Sequence, residues 1–210
     1  VIAKKVISDR SLDTIDGGSL PIGFVQDEEL ARNKGREHSF FVTQDSLQAA
    51  LDANSTQMQS EIPPAFNFAD VNTATGEEAS RIDIGFSKYT QSYFIYDSEL
   101  KKYKKSQYEA PHIDNNSRDQ VAVDNVFILF TPIERIEKYK NGLVEVGLDS
   151  GRGYYASQGK IQEISWKKGN YGDPIIYSDA SGAPLKVNTG KSWISIVADN
   201  RQEFVTYRGE

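Results

Sequence analysis

From residue 81 onward apolar residues recur at every second position in short runs, and no other feature narrows the fold so far. In Arg81-Ile82-Asp83-Ile84-Gly85-Phe86 the alternation is strict, as in a strand with one buried and one wet face. Tyr93 to Tyr96 and Tyr103 to Tyr108 flank Asp97-Ser98-Glu99-Leu100, which reads as a hairpin with a four-residue turn. Residues 125–130, Asn-Val-Phe-Ile-Leu-Phe, are apolar on both faces and predict the most buried strand. Further strands are expected over 143–148, 153–156, 161–166, 174–177 and 192–197, with glycine-rich breaks between them. Short strands at this spacing predict a mostly antiparallel β domain, a sandwich or an open barrel.

The earlier residues follow another pattern. Val1, Ile2, Ala3, Val6 and Ile7 are spaced as on the tail of a helix. Residues 27–34 read as a loop or short helix. Thr43 is a candidate N-cap for a helix over residues 44–53, whose apolar stripe is Leu47, Ala50 and Leu51. Pro63-Pro64 makes the stretch over 62–68 extended. The polar stretch 70–78 marks the expected boundary. The fold class is therefore α+β: a small helix-containing part over 1–78, then a β-rich domain over 79–210. The chain begins at Val1, so it reads as a processed or trimmed product.

Several chemistries drop out on composition. With no cysteine there is no disulfide, thiolate zinc site or thiol nucleophile. No run of apolar residues is long enough to span a bilayer as a helix. Net charge is −6, from 24 basic and 30 acidic residues, whereas nucleic-acid binders gain most of their affinity from a basic surplus. No nucleic-acid partner is expected. The one basic cluster is Lys101, Lys102, Lys104 and Lys105 around Tyr103. Lysines interleaved with an aromatic could hold an anionic polymer; the plainer reading is a solvated hairpin edge that resists edge pairing.

Candidate site residues are few. His112 and Asp114 stand two apart, on one face of a strand, and could supply two metal ligands. A third would have to come from Asp119, Asp124 or His38. Residues 114–117 equally spell an Asx turn, and with no metal-ligand spacing present that reading is preferred; no metal or cofactor is expected. Arg36 and His38 could form an anion pocket, or lie in a polar loop before a strand. Trp166 alternates with Ile164 and should face inward. Trp193 alternates with Lys191 and Ser195, which leaves it open between core and an exposed aromatic platform. Ser39, Ser117 and Ser150 are not set in a nucleophile elbow, and no catalytic residue is assigned.

The order Gly151-Arg152-Gly153-Tyr154-Tyr155, Ile164-Ser165-Trp166-Lys167-Lys168, Ile176-Tyr177-Ser178-Asp179 and Gly190-Lys191-Ser192-Trp193-Ile194 resembles the carboxy-terminal domain of the YerB-like lipoproteins of Gram-positive bacteria. His112-Ile113-Asp114 and Asn125-Val126-Phe127-Ile128 add to it. Asp16-Gly17, Arg36-Glu37-His38-Ser39 and Pro63-Pro64-Ala65-Phe66-Asn67-Phe68 resemble the end of the same family's first domain. The family usually has Pro before and Asn after the histidine matching His38, where this chain has Glu37 and Ser39. The resemblance implies a protein held outside the cytoplasmic membrane by a lipid anchor upstream of these residues, and it implies no reaction. The expected function is non-catalytic binding of an envelope protein or cell-wall polymer. The alternative is an envelope enzyme acting on wall polymer, with its active site in the upstream part of the first domain.

Overall fold

A computed structural model describes residues 23–54, 66–138, 142–170 and 173–209. The helix tail expected at residues 1–7 and most of the extended connector over 62–68 lie outside these. The chain divides into compact units of residues 1–63 and 64–210. The division falls upstream of the polar stretch 70–78, because that stretch is stitched to the second unit. Phe68 bridges Val187, and Asn188 exchanges hydrogen bonds with Thr73.

In the first unit β1 (Val25–Gln26) pairs antiparallel with β2 (Phe40–Phe41). Between them run α1 (Glu28–Lys34) and a 3-10 turn (Arg36–His38). Helix α1 forms because Asp27 caps it: its Oδ1 accepts from the amides of Glu29 and Leu30, each at 2.9 Å. Acids in its first turn and bases in its last suit the helix dipole. The expected second helix is α2 (Gln44–Asn54). Its cap is reciprocal: Ser46 N donates to Thr43 Oγ1 at 3.1 Å and Thr43 N to Ser46 Oγ at 2.9 Å.

The second unit is a sandwich of two six-stranded sheets. The first contains β3 (Glu77–Glu78), β9 (Asn125–Thr131), β12 (Ser150–Ser157), β13 (Lys160–Lys168), β14 (Ile175–Asp179) and β15 (Ser192–Ala198). Its order is β14-β13-β12-β9-β15, with β3 also on β13. The second contains β4 (Arg81–Gly85), β5 (Gln91–Asp97), β6 (Lys102–Gln107), β7 (Ala110–Pro111), β8 (Ala122–Val123) and β16 (Val205–Arg208). Its order is β16-β4-β5-β6-β7, with β8 also on β6. A small ribbon of β10 (Ile133–Arg135) and β11 (Val144–Val146) stands apart.

Alternation decides what lies between the sheets. Ile82, Ile84, Phe94 and Tyr103 from the second sheet meet Val126, Ile128, Phe130, Ala156 and Val197 from the first. The opposite face of the first sheet carries Phe127, Leu129, Tyr155, Ile164, Trp166 and Tyr177, covered by Leu185, Val187 and Phe66. Strand β9 is therefore buried at every position, which explains its continuous apolar run. The inward Trp166 lies in this outer-face cluster, its Nε1 donating to Arg152 O at 3.1 Å. Gly153 permits the close approach of β12 to β9, since a Cβ there would collide with Ile128 O.

Among the described strands pairing is antiparallel except between β9 and β15, which run parallel. No hairpin joins these two, so their direction is set where both begin. The amides of Asp124 and Asn125 donate to Lys191 O at 2.9 and 3.0 Å, and Lys191 N donates to Asp124 Oδ2 at 2.8 Å.

Candidate functional site

Two features of the sandwich unit carry chemistry: a polar enclave around Lys105 and an open groove at the β4–β5 and β6–β7 turns. The enclave follows from the pleat. Tyr103 points into the core, so Lys105, two residues on, points the same way and is only 2% exposed. This corrects the reading of the lysine cluster as a solvated edge. Lys101 is exposed, Lys102 and Lys104 pair with Asp124 and Asp97 at 3.4 and 2.6 Å, and Lys105 is interior.

The Lys105 ammonium donates to Gln107 Oε1 at 3.1 Å and to His112 Nδ1 at 2.8 Å. Nζ also lies 4.5 Å from the Trp193 ring centroid, and the His112 ring meets that of Trp193 edge-on at 5.8 Å. An ammonium offers donors only, so Nδ1 of His112 accepts and the ring is neutral, with its proton on Nε2. Burial pushes the Lys105 amine below its ordinary value. Burial first, and the Lys105 charge second, hold the His112 imidazole below 6.5. The inward-facing Tyr103 gives its hydroxyl to Ala79 O at 3.0 Å, and burial raises its pKa. It is core and offers no stacking face.

The neutral His112 makes a prediction with a definite sign. Below 6.5 the unfolded chain takes up a proton that the folded chain refuses, so stability present above that pH is lost as pH falls through and below it. Asp97, Asp114 and Asp179 have lowered pKa values, and their contribution is lost only below the ordinary aspartate value of 3.8. Urea midpoints measured from neutral pH down to about pH 5 are expected to fall in the native chain and to fall less in His112→Gln. Equal slopes would contradict the assignment.

The groove, of about 920 Å³, borders Arg81, Ser92, Tyr93, Tyr108, Arg201 and Phe204 among other residues. Tyr89 and Tyr108 also line it and are 79% and 62% exposed. Both stand on built turns. Phe86 N donates to Thr90 O at 3.0 Å, and Ser87 Oγ accepts from the amides of Tyr89 and Thr90. Tyr108 and Glu109 both hold positive φ, 52° and 61°, in a hairpin turn without glycine, a conformation that costs free energy in side-chain-bearing residues. Tyr108 N donates to Gln91 O at 3.3 Å, joining this turn to the start of β5. Arg81 lies 4.3 Å over the Tyr93 ring and grips Asp83 through Nε and a terminal nitrogen. The Arg201 guanidinium stacks on Phe204 at 3.8 Å. Ser92 Oγ and Arg201 Nε are buried with no hydrogen-bond partner among the described residues.

The other expected site residues, Arg36, His38 and Asp114, lie in turns that are not part of this enclave or groove. In the first unit Arg36 stacks 5.4 Å over Phe40, and His38 lies 4.0 Å from Glu37 on the same exposed turn. Asp114 Oδ1 accepts from the amides of Asn116 and Ser117 at 2.9 Å each, the Asx turn expected. Those bonds lower its pKa. His112 turns toward Lys105 and Trp193. No group of three or more His, Cys, Asp or Glu is placed to hold a metal among the described residues. Ser92 and Arg201 went unremarked in the sequence, and Lys105 was read there as one of a solvent-facing cluster. Only Lys105 left a signal there, as the period-two partner of Tyr103.

No curated protein matches the chain in sequence. The family described as protein of unknown function (DUF3048), C-terminal domain, matches residues 82–194. The fold is similar to that of the YerB protein from Bacillus subtilis, with a TM-score of 0.79 at 21% identity. That likeness covers 98% of this chain and 67% of the YerB chain. The family match takes in both the enclave and most of the groove and spans more than half of the sequence, so the chain belongs to the YerB-like family with the DUF3048 carboxy-terminal domain, whose function is unassigned.

Proposed function

We propose that this protein is a non-catalytic binding module of the cell envelope that holds an envelope protein or cell-wall polymer in the groove of its sandwich unit. The observation that carries the reading is the pair of exposed tyrosines, Tyr89 and Tyr108, standing on tied-down turns beside one open groove. Flat faces with polar rims suit polymer contact, and side chains on rigid turns lose little freedom on binding. A reaction has less support. Among the described residues no hydrogen bond joins a serine to a histidine, and His112 Nδ1 is engaged by Lys105. The protein works outside the cytoplasmic membrane, tethered by a lipid anchor.

The 210-residue chain, immobilised and offered solubilised envelope proteins and wall fragments, tests this. The expected result is specific retention that falls about tenfold or more in Tyr89→Ala combined with Tyr108→Ala. Equal retention by both chains, or none by either, overturns the reading.

A further inference from the structure

We propose that β15 is a docking edge for a second copy of this chain, the two β15 strands pairing antiparallel about a two-fold axis at Ser195 so that their six-stranded sheets join into one. The inference is independent of the groove and of what the groove holds.

The edge stands out against the other sheet ends. At the far end of the same sheet, β14 is covered by the chain that follows it: Asp179 N donates to Ala183 O and Leu185 N to Tyr177 O, each at 2.9 Å. In the second sheet β7 and β8 have two residues each, and β7 ends in Pro111. Strand β16, at the opposite end, has four residues and ends in Arg208. Short length, proline and charge are devices that keep an edge from pairing. Strand β15 has none of them. Its seven residues, Ser-Trp-Ile-Ser-Ile-Val-Ala, run in unbroken register with β9 on one side. Among the described strands none pairs with its other side.

The pleat fixes what this edge offers. Asn125 N donates to Lys191 O at 3.0 Å, so the odd-numbered residues of β15 turn their backbone groups toward β9. Ser192, Ile194, Ile196 and Ala198 turn theirs to the open side. On the sheet face opposite the core-facing Trp193 and Val197, Ile194 and Ile196 are 42% and 37% exposed. Charge then selects the register. Centring the pair on Ser195 makes Ile194 and Ile196 of the second copy a hydrogen-bonded pair, with their side chains in contact. The same register sets Lys191, just before the strand, opposite Asp199 of the second copy, just after it. Both are exposed, and neither forms an ion pair among the described residues. Moving the centre to Ile196 would set Lys191 against Arg201, a like charge. Moving it to Ile194 would leave Lys191 against Val197 and Asp199 against Thr189. An edge that complements itself about one residue is what a two-fold interface requires, and a foreign strand has no need of it.

Sedimentation equilibrium of the 210-residue chain from about 1 µM to about 1 mM tests this. A reversible monomer–dimer equilibrium is expected, and Ile194→Lys, at an exposed position, should weaken it about tenfold or more. Lys191→Glu and Asp199→Lys each bring like charges together twice per dimer and should each weaken self-association about tenfold. Mixed in equal amounts, these two variants should pair with each other as well as the native chain pairs with itself, because each supplies the charge the other lacks. Thermal melts verify that every variant folds. A monomer across the whole range overturns the proposal, as does a dimer that Ile194→Lys leaves unchanged. Mixed variants that associate no better than either alone overturn it too. A monomeric chain whose retention of envelope components is lost in Ile194→Lys would give the edge to a foreign strand, and self-pairing would fall.

Discussion

Phe127→Ala is expected to lower the unfolding free energy by about 3–5 kcal/mol, the range for deleting a fully enclosed aromatic. Phe127 is 0% exposed at the centre of β9. Its ring lies nearly parallel to that of Phe66, with centroids 5.3 Å apart, and 4.9 Å from the rings of Tyr155 and Tyr177. These neighbours come from separate strands and from the segment covering the sheet, so no single shift can close the hole. Phe66 would lose its stacking partner, and with it a contact that ties residues 66–69 to the sandwich. Urea unfolding of the native chain and the variant measures the effect, with Tyr89→Ala as a surface control expected within about 0.5 kcal/mol. A loss below about 1.5 kcal/mol would show that the site collapses, against the packing described.

The second large effect is polar. Asn125 is fully buried, as is Tyr155 to within 3%. Tyr155 donates its hydroxyl to Asn125 Oδ1 and accepts from Asn188 N, both at 2.8 Å. Asn125 Nδ2 donates to Asn188 O at 2.8 Å. Asn188 reaches on to Ser157 Oγ and to Thr73 O. This closed set fastens the start of β9 to the crossing segment and to residue 73. Asn125→Leu keeps the branched outline but leaves the proton of the tyrosine hydroxyl and the Asn188 carbonyl unmet, at an expected cost of about 3 kcal/mol. Tyr155→Phe strands Asn125 Oδ1 and Asn188 N and is expected to cost a similar amount. The double variant should cost clearly less than the two single losses added, because the pair shares its bonds. Strict additivity would mean that the two side chains do not work as one network.

The local elements were legible in the residues themselves. Alternation over residues 81–86 marks β4, the apolar run over 125–130 marks β9, and Thr43 followed by an amphipathic stretch marks α2. Asp114 before Asn115-Asn116-Ser117 marks a turn that the structure keeps bond for bond. Such features depend on groups within a few positions of one another, where side-chain period and hydrogen-bonding chemistry leave little choice. Strand β16 went unread because its four residues follow a 3-10 turn (Asp199–Phe204) and show too few alternations to register.

Tertiary structure alone decided the rest. Whether Lys105 faced water or core depended on which sheet would lie over β6, since either face of a strand can be the wet one. The parallel union of β9 with β15 came from bonds between Asp124, Asn125 and Lys191, remote in the chain. The groove exists because the β4–β5 turn, the β6–β7 turn and the Arg201–Phe204 stack converge, and none of the three signals the others in sequence. The sequence by itself thus determined that the chain makes strands, where they run and which of them is most buried. Which strands become neighbours, and what stands on the surface between them, is decided by long-range pairing and packing, whose energies belong to contacts rather than to residues.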